Sequence, residues 1–186
     1  MHRWLSGFVL AFASAVSSEQ VLAQAKWTDA QKIANAMTAA PSFISEKAAI
    51  VEMQNGKPVT LRAGSNGWTC MPTNPAKEGN EPICMDDEFM SFMHAVQTKA
   101  APQVKRVALS YMIAPGAPPG SNTDPYAKKA TPDNEWGYDG QHVMVVVTDP
   151  HALQGIPTKR QSGGPWVMWA GTPYAHLMVP FTAPKP

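Results

Sequence analysis

Gln141-His142-Val143-Met144-Val145-Val146-Val147-Thr148 (QHVMVVVT) is the stretch whose reading decides the fold class. Side chains on a strand alternate between faces. Val143, Val145 and Val147 fall on one face, and His142, Met144 and Val146 on the other. Both sets are largely apolar, so the run predicts a strand inside a sheet, covered on both sides. Asp149-Pro150 ends it, because proline cannot donate to a ladder. His151–Gln154 then reads as one helical turn. Gly163-Gly164-Pro165 punctuates the chain, and Trp166–Ala170 and Tyr174–Val179 flank Gly171-Thr172-Pro173 as the arms of a hairpin.

Upstream, Val104–Ile113 (VKRVALSYMI) predicts a further strand. Ala48–Met53 and Val59–Arg62 flank Asn55-Gly56, a tight-turn dipeptide. Ala63–Gly67 is a turn leading into Trp68–Met71. Two short helices are expected. The first runs over Lys26–Ala40, capped by Thr28, with Asp29 at its positive end and Ile33, Ala36 and Met37 on one stripe; Pro41 stops it. The second spans Asp87–Thr98, with Phe89, Met90, Met93 and Val96 at helical spacing. The 18 prolines imply short strands and many turns. Pro72–Pro82 reads as a polar loop. Ala114–Tyr138 is irregular and too long for a passive connection. The class is therefore α+β, with a mainly antiparallel sheet, two short helices and long Pro/Gly-rich loops.

The amino terminus carries an address. Met1-His2-Arg3 is a basic start, Trp4–Val16 is an apolar and small-residue run, and Ala23-Gln24-Ala25 is an A-x-A site before Lys26. The run is shorter than the roughly 20 residues a spanning helix needs. Residues 1–25 are thus expected to be a signal peptide and 26–186 a single globular domain, periplasmic or secreted, with no stable membrane insertion after cleavage. A formal net charge of +1 with no basic stripe beyond Lys128-Lys129 and Lys159-Arg160 excludes nucleic acid as a partner. In an oxidising compartment a lone cysteine pair bridges, so Cys70 and Cys84 are expected as a disulfide.

Common catalytic signatures are missing: no G-x-S-x-G, H-E-x-x-H, Walker loop or G-x-G-x-x-G occurs. Ser65, between Gly64 and Asn66-Gly67, sits in a turn whose glycines suit positive φ. Asp86, Asp87 and Glu88 are consecutive and better placed to cap a helix than to share a site. Asp133, Glu135 and Asp139 lack the spacing of a calcium loop and read as solvated loop charges.

The less ordinary pattern is His142-Val143-Met144 and His176-Leu177-Met178. On a strand each H-x-M motif presents an imidazole and a thioether on one face. If the two strands adjoin, His142, Met144, His176 and Met178 form a candidate metal site. Thioether with imidazole suits Cu(I), and thioether is a poor zinc ligand. Met168 could face His176. Plain packing competes with this reading, since methionine fills irregular cores well. The expected function is an exported binding protein, with copper through these four side chains as its sharpest form. The alternatives are a small-ligand pocket or hydrolase-like enzyme using His142 or His176, and a structural or envelope-interaction domain. Rings such as Trp68, Trp166, Trp169 and Tyr174 could line such a pocket.

Four strings carry a likeness: Asn66-Gly67-Trp68-Thr69-Cys70, Ser121-Asn122-Thr123-Asp124-Pro125-Tyr126, Gln141-His142-Val143-Met144 and Gly171-Thr172-Pro173-Tyr174-Ala175-His176-Leu177-Met178. Through them the chain resembles a group of secreted bacterial single-domain proteins. The resemblance implies an exported bacterial protein and carries over no activity and no catalytic residue.

Overall fold

The computed structural model describes residues 27–185; the expected signal peptide and its cleavage site lie outside them. Thr28 caps the first helix, α1 (Asp29–Met37), through a capping box with Gln31. Pro41 does end that stretch, and it also opens a four-residue helix absent from the sequence expectation, α2 (Ser42–Ser45). Two strands follow, β1 (Ala49–Gln54) and β2 (Lys57–Arg62). Asn55 and Gly56 between them have φ of 51° and 76°, the left-handed pair that a two-residue hairpin turn requires. Next come β3 (Trp68–Met71) and β4 (Ile83–Asp86). β4 was hidden in the sequence, because its four residues run directly into α3 (Asp87–Thr98).

The remaining strands are β5 (Ala108–Met112), β6 (Gly120–Ser121), β7 (Trp136–Gly137), β8 (His142–Val146), β9 (Trp166–Met168) and β10 (His176–Pro180), with a 3-10 turn at Pro150–Leu153. Eight strands form one sheet in the order β2-β1-β3-β4-β5-β8-β10-β9, and β6 and β7 form a separate ribbon. Every neighbouring pair is antiparallel except β1 with β3. The α+β class with a mainly antiparallel sheet stands. β8 lies between β5 and β10, and its burial alternates between fully buried His142, Met144 and Val146 and half-buried Val143 and Val145.

The alternation splits the core in two. Phe89 and Phe92 of α3 pack on Met85, Met144, Trp166 and Met178 on one face. Ala36, Ala39 and Ile44 of the α1–α2 region pack on Ile50, Cys70 and Cys84, which point the other way because they are one residue out of step. Cys70 and Cys84 oppose each other in register and are joined by the disulfide. No helix among the described residues is long and apolar enough to cross a membrane.

Two local readings need correcting. Gly67 has the positive φ expected of its turn, 76°. Gly64 instead serves a close approach: a Cβ there would lie 2.1 Å from the Ala49 backbone nitrogen, so only glycine fits. Of the loop charges, Asp133 and Glu135 are exposed as expected, but half-buried Asp139 is not simply solvated. Arg160 is 2% exposed. Its Nε donates to Asp139 at 2.6 Å, and its two terminal nitrogens donate to the carbonyls of Glu135 and Gly120. Asn122, also buried, donates to the Glu135 carboxylate and the Thr158 carbonyl and accepts from the Trp166 indole. These contacts satisfy the polar groups of a long loop and hold it against the sheet.

Candidate metal site and cavity

The register of three strands sets the site. Met144 on β8 pairs directly with Met178 on β10 and with Ser110 on β5. One step along, His142 pairs with Met112 on one side and Pro180 on the other. At the opposite step, His176 pairs with Met168 on β9. Because side chains repeat every second residue, His142, Met144, His176 and Met178 all occupy the face under α3. All four are buried. The antiparallel register relates the motifs by a local two-fold, with the methionines paired at the centre and one histidine at each end.

That arrangement brings three of the four together more closely than the fourth. The histidines stand on different strands two steps apart, ~14 Å between Cα atoms for ideal strand spacing. His142, Met144 and Met178 line a common cavity of about 560 Å³, and His176 is not among its lining residues. His176 instead packs edge-on against Trp169 and Phe92, ring centroids 4.9 and 5.8 Å away.

Both imidazoles are held in one way. His142 Nδ1 lies 2.8 Å from the Gly140 carbonyl, and His176 Nδ1 lies 3.0 Å from the Tyr174 carbonyl. A carbonyl only accepts, so Nδ1 carries the proton in each ring and Nε2 keeps its lone pair. Each carbonyl belongs to the residue two before its histidine, on the side away from the methionine pair. In His176 the other ring nitrogen, Nε2, is buried with no hydrogen-bond partner. Backbone anchoring of one ring nitrogen is the usual means of orienting a metal-ligating histidine through the other.

Burial disfavours the charged form of both rings. Burial lowers the His142 pKa, partly opposed by the Asp139 charge and the Gly140 carbonyl. Burial lowers that of His176 to about 4, opposed by the Tyr174 carbonyl and assisted by His142. Three buried side-chain polar atoms among the described residues have no hydrogen-bond partner: Arg62 Nε, Ser110 Oγ and His176 Nε2. Two of them, Ser110 and His176, flank the Met144–Met178 pair. Such orphans are rare in folded proteins and call for a physical cause.

The cavity runs beyond the motifs. Met71, Met93, Met112 and Met168 join its wall, and Lys32, Glu52 and half-exposed Met53 stand at its far end. Met71, Met93 and Met112 had no signal in the sequence as site residues, since only strand order brings them to His142. Met168 was foreseen opposite His176, and the register places it there. His94, next to Met93, points away and is exposed. Of the loop carboxylates, Asp139 is engaged by Arg160 and Glu135 by Asn122. Among the described residues no three or more His, Cys, Asp or Glu side chains gather as a metal-binding group. No family model, curated protein or solved structure matches the chain.

Proposed function

We propose that the chain is an exported binding protein that holds Cu(I) between its two H-x-M motifs, with His142, Met144, His176 and Met178 as ligands. The observation that carries this reading is the direct pairing of Met144 with Met178, with a histidine two residues from each methionine whose Nδ1 is tied to a backbone carbonyl. Methionine packing alone does not account for it. A purely apolar filling would leave the buried His176 Nε2 without a partner for nothing, at a desolvation cost of about 1–3 kcal/mol. A pocket using His142 alone leaves the matching geometry of His176 without a role. Neutral soft donors in a buried site suit a monovalent soft ion, and Asp139, the carboxylate that acts on His142, is already paired with Arg160.

Export rests on different features. The basic start, the apolar Trp4–Val16 run and the Ala23-Gln24-Ala25 site support it. So does the Cys70–Cys84 disulfide, since such bonds persist in oxidising compartments. The likeness to secreted bacterial single-domain proteins points the same way.

The test is an anaerobic competition between the protein and a chromophoric Cu(I) chelator such as bicinchoninate. Wild type should take up one Cu(I) per chain and ignore Zn(II). Met144→Leu and Met178→Leu conserve volume, and each should weaken Cu(I) binding by roughly tenfold or more. A wild-type protein that leaves the chelator complex intact, or leucine variants that compete as well as wild type, would sink the proposal.

A further inference from the structure

The cavity is larger than an ion needs and is walled in an unusual way. One continuous void of about 560 Å³ includes Met53, Met71, Met93 and Met112 together with His142, Met144 and Met178. Met53 is 50% exposed and the site methionine Met178 is 0% exposed, so the wall runs from solvent to the buried motifs. The strand order β1-β3-β4-β5-β8 explains the series. Met53 stands on β1, Met71 on β3 and Met112 on β5, and Met112 is paired with His142 on β8. Ile83, paired with Met71, interrupts the row on β4, and Met93 of α3 joins the wall from the helix side.

We infer that Met53, Met71, Met93 and Met112 form an entry route along which Cu(I) passes from the surface to the H-x-M site. This rests on the copper reading above and assigns residues outside its ligand set. A bare monovalent cation entering an apolar cavity loses its hydration with nothing in return. Thioethers supply neutral soft donors along the way, and methionine's three rotatable bonds let a sulfur swing between neighbouring positions. Each transfer forms one Cu–S bond as another breaks. The ion stays Cu(I), the thioethers stay neutral, and no proton or electron is exchanged. A route of thiols would instead couple each step to proton release. Leucine at the same positions would keep the volume and remove the donor.

Rapid mixing of the full chain with the Cu(I)–bicinchoninate complex reads the rate of loading as loss of the complex's colour. Met71→Leu, Met93→Leu and Met112→Leu, singly and together, are the variants, and melting profiles confirm that each is folded. The triple variant should load roughly tenfold more slowly, with release slowed to match and equilibrium affinity unchanged. Loading at the wild-type rate overturns the route while leaving the site intact. A loss of affinity in one single variant also overturns it, because that methionine is then a ligand and not a way-point. Failure of wild type to take up Cu(I) at all is a separate result, seen before any variant is made, and removes site and route together.

Discussion

His176 is where a single side chain most clearly sets a property of the protein. Its ring is 1% exposed, and burial holds its pKa at about 4 against an ordinary 6.5. The unfolded chain therefore binds a proton between those values and the folded chain does not. Stability is fully present above pH 6.5, falls as pH drops towards 4, and levels off below it. The loss attributable to this residue is about 3 kcal/mol, and the lowered pKa of His142 acts in the same direction. Urea unfolding of the metal-free protein at a series of pH values checks this. A flat profile between pH 7 and 4 would show that the ring titrates normally. Arg160 is the second such residue. It read as half of a surface Lys-Arg pair, yet it satisfies Asp139 and two carbonyls from inside the fold. Arg160→Ala strands those acceptors and should cost about 3 kcal/mol, seen as a lowered denaturation midpoint. Arg160→Lys should rescue little, because an ammonium cannot supply the guanidinium fork.

Elements matter here through the way they end. Asp86 is the last residue of β4 and the cap of α3: one carboxylate oxygen accepts from the Phe89 backbone at 2.7 Å, and the other from the Leu109 backbone at 3.1 Å. The helix half of that role was legible in the Asp-Asp-Glu run, since a carboxylate belongs at a helix start. The strand half was not, because four residues of β4 are too few to show a period. The β3–β4 pair is also the one the disulfide closes. Cys70 and Cys84 are 14 apart in sequence, and a loop of that size is stabilised by roughly 3 kcal/mol in the chain-entropy model. Replacing both with serine should lower the melting temperature while leaving Cu(I) affinity close to wild type, since the bridge faces the α1–α2 side and the H-x-M motifs face α3. A double variant that melts like wild type would count against that stabilisation.

For the molecule as a whole, the prediction concerns its mature form. Cleavage at the A-x-A site before Lys26 predicts a mature N-terminus at Lys26, checked by intact-mass measurement of the exported protein. A secreted or periplasmic product that keeps residues 1–25 would contradict it. The long 114–138 segment also belongs to this scale. Its length marked it as more than a connection, and in the fold it carries the ribbon β6–β7 and is held by Asn122 and Arg160. Its order comes from partners 25 to 44 residues away in sequence, which no local pattern displays.

Sequence by itself determined what depends on neighbours along the chain. Period-two runs such as Val143–Val147, the Asn55-Gly56 turn, the Thr28 cap and the lone cysteine pair each state a local or binary preference, and each preference was met. It also determined that each H-x-M motif shows its two donors on one face, because strand geometry repeats every second residue. Tertiary structure alone decided that β8 and β10 adjoin, that Met144 meets Met178, and that His142 meets Met112 and not His176. The reason is that strand order and register follow from which faces can be buried together. α3 covers one face and the α1–α2 region the other, so the shared choice places methionines of six strands and one helix around a single cavity.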